Sequence, residues 1–168
     1  MVSVLDPLST THRIDSAPTA VVLTHLILES DRLSPRGVIA IAPFAIQVFD
    51  RLSEHAKAHA NSDTLDLSTF GALTSAYVGN SGVALTDPLV SGAFIPFTAS
   101  WPKTLILIGS ADQLIDASRE LEKRLSALKR PVELIEYDER PHGWWVLAHL
   151  FPDDIQDAAQ RIARFVLH

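Results

Sequence analysis

Three elements follow one another without interruption in the second half of the chain: the apolar run Thr104 to Gly109 (TLILIG), a stripe at Leu114, Ala117, Leu121, Leu125 and Leu128, and the run Val132 to Tyr137. A short apolar run bounded by turn signals is the pattern of a strand buried on both faces, and steps of 3, 4, 4 and 3 mark one face of a helix. Strand, helix of about four turns, strand is a right-handed crossover, so the two strands must lie parallel in one sheet. Val38 to Phe44 is a third β-branched apolar run of the same kind. Ala17 to about Ser30 is apolar almost all round, which predicts a buried helix with Asp15 or Ser16 as its cap and Pro18 in its first turn. The expected fold class is therefore α/β, with about three parallel strands and helices on both faces of the sheet.

The rest of the chain fits around this unit. Ser68 to Val78 predicts a helix with Phe70, Leu73 and Tyr77 on one face, stopped by Gly79. Ile155, Ala158, Ala159, Ile162 and Val166 predict a last amphipathic helix, with Asp153, Asp154 and Asp157 near its positive end and Arg161, Arg164 and His168 near its negative end. Residues 45–67 read as mostly an excursion: Asp50 to Ala60 has helical propensity but a weak apolar face, and Asn61 to Leu67 is polar and turn-rich. Residues 79–102 read as a connection, and residues 1–14 as irregular apart from a short extended stretch around His12 to Ile14. With 168 residues, 47% of them hydrophobic, residues 1–168 form one expected domain.

Composition removes several chemistries. The chain has no cysteine, which leaves out disulfides, thiolate metal sites and thiol nucleophiles. A formal charge of −6 argues against nucleic acid or an anionic membrane as partner. All seven glycines lie beyond residue 36, so the first fifth of the chain has no glycine-rich loop to cradle a phosphate. The apolar runs are broken by Thr24, His25 and Pro43 before they reach the ~20 residues of a membrane span. The first twelve residues have neither the basic nor the apolar region of a secretory signal, so the expected location is the cytoplasm.

Functional groups of open parallel sheets collect on the loops after the carboxyl ends of the strands. Asp112 follows the first strand of the crossover by three residues, and His142 follows the second by five. Adjacent parallel strands would bring that carboxylate and imidazole to one rim. An Asp held on Nδ1 fixes the tautomer of a His and stabilises the imidazolium formed when Nε2 takes a proton from a hydroxyl. Taken singly, an Asp before a helix is more often a cap and a His before Gly more often a turn residue; the joint placement of Asp112 and His142 favours the pair.

The strings WPKTLILIGSADQLIDASRELEKRLSALKRPVELIEYDERPHGWW and DAAQRIARFV resemble the C-terminal part of α/β-hydrolases, in particular the hormone-sensitive-lipase-like esterase branch. GVIAIAPF and DPLVSGAF are similar to further stretches of that branch, so the resemblance covers roughly residues 15–168. It implies a truncated α/β-hydrolase fold and a carboxylic-ester hydrolase with Asp112 as triad acid and His142 as triad base, needing no cofactor and no metal. The substrate it implies is a small acyl ester.

The family's nucleophile sits in a Gly-x-Ser-x-Gly elbow, and the matching segment here is Ile14-Asp15-Ser16-Ala17-Pro18. The resemblance makes Ser16 the nucleophile and the Ala17 N–H an oxyanion donor. Ile14 and Pro18 replace both elbow glycines, and Asp15 and Ser16 serve equally well as a plain helix cap. Only fifteen residues precede Ser16, so the chain reads as the C-terminal portion of such a domain, without the family's His-Gly-Gly oxyanion loop. The competing expectation is a catalytically inactive remnant acting as a binding or dimerising module, since a three-stranded sheet with an open edge favours self-association.

Other constellations are weaker. Asp116 reads as a first-turn helix carboxylate. His55 and His59, four apart, lack a third ligand and read as a solvated face. Trp144 and Trp145 would border an acyl pocket or belong to the core, and His12 and His25 read as structural.

Overall fold

The computed structural model describes residues 2–4, 12–14, 17–30, 35–46, 53–60, 62–64 and 67–168. Five strands form one sheet: β1 (Val2–Val4), β2 (His12–Ile14), β3 (Gly37–Ile41), β4 (Lys103–Gly109) and β5 (Val132–Tyr137), in the order β2-β1-β3-β4-β5. The three expected parallel strands are β3, β4 and β5, with Ile39 opposite Leu105 and Leu105 opposite Glu133. The edge of β3 expected to be open carries β1 instead, paired antiparallel, and β2 pairs antiparallel with β1 in turn. Strands of three residues are too short to show a period, which is why β1 has no signature in the sequence.

The helices are α1 (Ala17–Glu29), α2 (Glu54–Ala58), α3 (Leu67–Val78), α4 (Ile115–Ala127) and α5 (Pro152–Leu167). Side chains alternate across the sheet and build two cores. On one face Val38, Ala40 and Ile106 pack with Ala20 and Val21 of α1 and Leu121 and Leu125 of α4. On the other, Ile39, Leu105, Leu107 and Tyr137 pack with Trp144 and with Ala158, Ile155 and Ile162 of α5. Helices thus cover both faces, as expected of buried parallel strands. The Tyr137 hydroxyl donates to Asp157 at 3.0 Å, and Asp157 also accepts from Arg161, which ties α5 to the end of β5.

The third apolar run ends as a strand earlier than its composition predicts. Ala42 turns into the left-handed region (φ 44), and Pro43 has no N–H to continue the ladder, so β3 stops at Ile41. The excursion contains α2, whose first turn is capped by Ser53 Oγ accepting from Ala56 N–H at 3.2 Å. Residues 79–102 form the expected connection, with one 3₁₀ turn at Gly92–Phe94. Among the described residues no helix is long and apolar enough to cross a membrane.

Candidate active site

The loop after β4 is shaped to present Asp112. Its backbone N–H donates to Gly109 O, and its carbonyl accepts from Ile115 N–H at the start of α4. One carboxylate oxygen, Oδ1, accepts from Leu114 N–H at 2.7 Å in an Asx turn, which fixes the side-chain rotamer. The other, Oδ2, meets His142 Nδ1 at 3.0 Å. The Asp112 side chain is fully buried, whereas that of His142 keeps 22% of its surface exposed.

The loop after β5 is built to meet it. Ser110 N–H donates to Tyr137 O, Ala111 N–H donates to Arg140 O, and Ser110 Oγ accepts from Glu139 N–H, so the two loops share a run of short bonds. Gly109 makes this approach feasible: a Cβ there would lie 1.9 Å from Arg140 O. Gly143, left-handed at φ 69, then turns the chain into the 3₁₀ helix Trp144–Leu147 directly after His142.

Burial pushes the Asp112 carboxyl above its ordinary value of 3.8; the hydrogen bond and charge of His142 and the Leu114 N–H pull it back in part, and the Asp63 carboxylate adds to the rise. A carboxyl raised on folding favours the folded state below its unfolded pKa, and that contribution is lost as pH rises through the folded value. Asp112→Asn, which removes the buried charge, is therefore expected to raise the urea midpoint at pH 7. The gain should vanish when the titration is repeated below about pH 4. A lower midpoint at pH 7 would contradict this balance.

The excursion supplies bonds with no signal in the sequence. His55 Nε2 donates to Ser110 O at 2.7 Å, and Asp116 Oδ2 accepts from Ser53 N–H at 2.8 Å. Asp63 accepts from His142 N–H through Oδ1 and from Gln113 N–H through Oδ2, while Thr64 Oγ1 donates to His142 O. These partners lie fifty to seventy-nine residues away in the chain, beyond the reach of any local pattern.

Of the residues singled out from the sequence, the structure brings Asp112 and His142 together. Ser16 and Asp15 lie outside the described residues, and Ala17 is the first residue of α1. Trp144 is fully buried against Tyr137, a core residue, whereas Trp145 sets its ring edge-on to His142 with centroids 5.7 Å apart. Asp116 stands in the first turn of α4, as expected, and in addition tethers Ser53. His55 and His59 stack edge-on at 4.8 Å, with His55 engaged by the loop after β4. His12 lies in β2 opposite Val4, and His25 in α1.

Three parallel strands between helices, with a buried carboxylate and an imidazole at the carboxyl ends of two adjacent ones, define an α/β protein of hydrolase architecture. The chain belongs to the α/β hydrolase fold family, whose model matches residues 17–146. Among solved structures it is similar to a hormone-sensitive lipase from a metagenome library (24% identity, 90% of this chain and 52% of that chain, TM-score 0.75). It is likewise similar to an esterase/lipase from an uncultured bacterium (22% identity, 90% and 48%, TM-score 0.74) and to an esterase of the bacterial hormone-sensitive lipase family (21% identity, 89% and 48%, TM-score 0.75). The chain thus spans about half the length of these structures. No curated protein matches it.

Proposed function

We propose that these residues correspond to the C-terminal portion of an α/β-hydrolase catalytic domain that hydrolyses small carboxylic esters, with Ser16 as nucleophile, His142 as general base and acid, and Asp112 as its orienter. The observation that carries the reading is the 3.0 Å bond between His142 Nδ1 and the buried Asp112 carboxylate. With Nδ1–H donated to Asp112, Nε2 is the nitrogen that takes the Ser16 hydroxyl proton as Oγ attacks the acyl carbonyl. The Ala17 N–H faces the oxyanion of the tetrahedral intermediate. His142 then passes its proton to the departing alcohol, and water repeats the sequence on the acyl-enzyme. The esterase and lipase names of the similar structures support this substrate class, and the net charge of −6 supports a small molecule rather than nucleic acid as partner.

The 168-residue chain is expected to hydrolyse short activated esters such as p-nitrophenyl acetate slowly. With the Ala17 N–H as the proposed oxyanion donor, its turnover should lie about 10² or more below that of a full-length homologous esterase. A rate no higher than buffer would instead favour the inactive binding or dimerising module, the reading that Ile14 and Pro18 at the elbow support. Size-exclusion chromatography then tests self-association.

A further inference from the structure

We propose that Asp63 is a positioning residue for the Asp112–His142 pair, a single carboxylate that sets the separation of the acid loop from the histidine loop. Its two oxygens go to different loops: Oδ1 accepts from the N–H of His142 itself at 2.7 Å, and Oδ2 accepts at 2.9 Å from the N–H of Gln113, the residue next to Asp112. Its neighbour Thr64 completes the hold by donating Oγ1 to His142 O at 2.6 Å. Both backbone polar atoms of the histidine are thereby fixed from one short stretch of the excursion. The distance between His142 Nδ1 and Asp112 Oδ2 depends on where two loops on separate strands come to rest. A rigid carboxylate bridging their backbones removes most of that freedom, and bonds from amides to a charged acceptor are stronger than neutral ones.

A general tether of the excursion makes a different pattern of contacts, and the same segment contains one. Asp116 holds Ser53 N–H, at the other end of the stretch, whereas the His142 and Gln113 amides go to Asp63. Asp116→Ala removes the acceptor and loosens the segment without releasing the pair, which makes it the control. Asp63→Asn is close in shape but keeps only one acceptor oxygen, so one backbone N–H faces an NH₂ donor instead.

The test is proton NMR of the 168-residue chain, reading the low-field Nδ1–H of His142, assigned by its loss in His142→Gln, together with amide exchange at Gln113 and His142. Asp63→Asn and Asp63→Ala are expected to broaden or abolish the Nδ1–H signal and to speed exchange of both amides about tenfold or more. Asp116→Ala should leave all three unchanged. The kinetic counterpart rests on the esterase reading: kcat should fall in the Asp63 variants with KM little altered. An unchanged signal and unchanged exchange in both Asp63 variants would overturn the proposal. So would global unfolding of Asp63→Asn, which would make Asp63 a residue that holds the fold. If the spectra respond as expected while the parent chain hydrolyses no ester, the esterase reading fails and the positioning role stands.

Discussion

His142→Ala is expected to bring ester hydrolysis by this chain down to background, and Ser16→Ala to do so to the same extent. General acid–base catalysis contributes about 10²–10⁴-fold, and a nucleophile and its base act as a unit, so loss of either should cost nearly as much as loss of both. The double variant measures this directly: its rate should match each single variant rather than the product of their losses. The residue pair in view makes His142 the firmer half, because the buried Asp112 already holds its Nδ1. If the rate survives both substitutions, hydrolysis arises elsewhere on the surface, and the assignment of Ser16 as nucleophile fails.

Gly109→Ala is expected to have the largest effect on stability. An added Cβ would stand 1.9 Å from Arg140 O and 2.6 Å from Arg140 C, both backbone atoms that no rotamer change can move aside. Relief requires shifting the histidine loop away from β4, which breaks the bonds Ser110 N–H to Tyr137 O and Ala111 N–H to Arg140 O. Overpacking a close-packed site costs about 3 kcal/mol when the neighbours cannot yield. Urea denaturation should show a loss of that order, and any folded fraction should lack hydrolysis because Asp112 and His142 no longer meet. A variant as stable as the parent chain would show that the two loops have room to separate.

How much of this was open to sequence reasoning depended on distance along the chain. The β4–α4–β5 unit was legible because its periods are local and strong, and the positions of Asp112 and His142 followed from counting residues past each strand. The limits of β3 were less so: Ala42 is an ordinary apolar residue by type, and its left-handed backbone ends the strand ahead of Pro43. Trp144 and Trp145 are identical neighbours, yet Gly143 turns one into the core and leaves the other beside His142. Asp63 and Thr64 sit in a polar stretch with the composition of any turn. Their importance arises from partners on two distant loops, a relation that no window of adjacent residues contains.

The burial of Asp112 has an evolutionary consequence. Desolvation disfavours the charged form of Asp112 in the fold, so selection on the chemistry rather than on stability is what would keep the carboxylate in place. This chain still carries Asp112, with the Leu114 amide in place to receive one oxygen and His142 the other. Ancestral reconstruction can read such a residue as a clock. In lineages where selection on the chemistry has lapsed, Asp112 should give way before the buried apolar residues of β4.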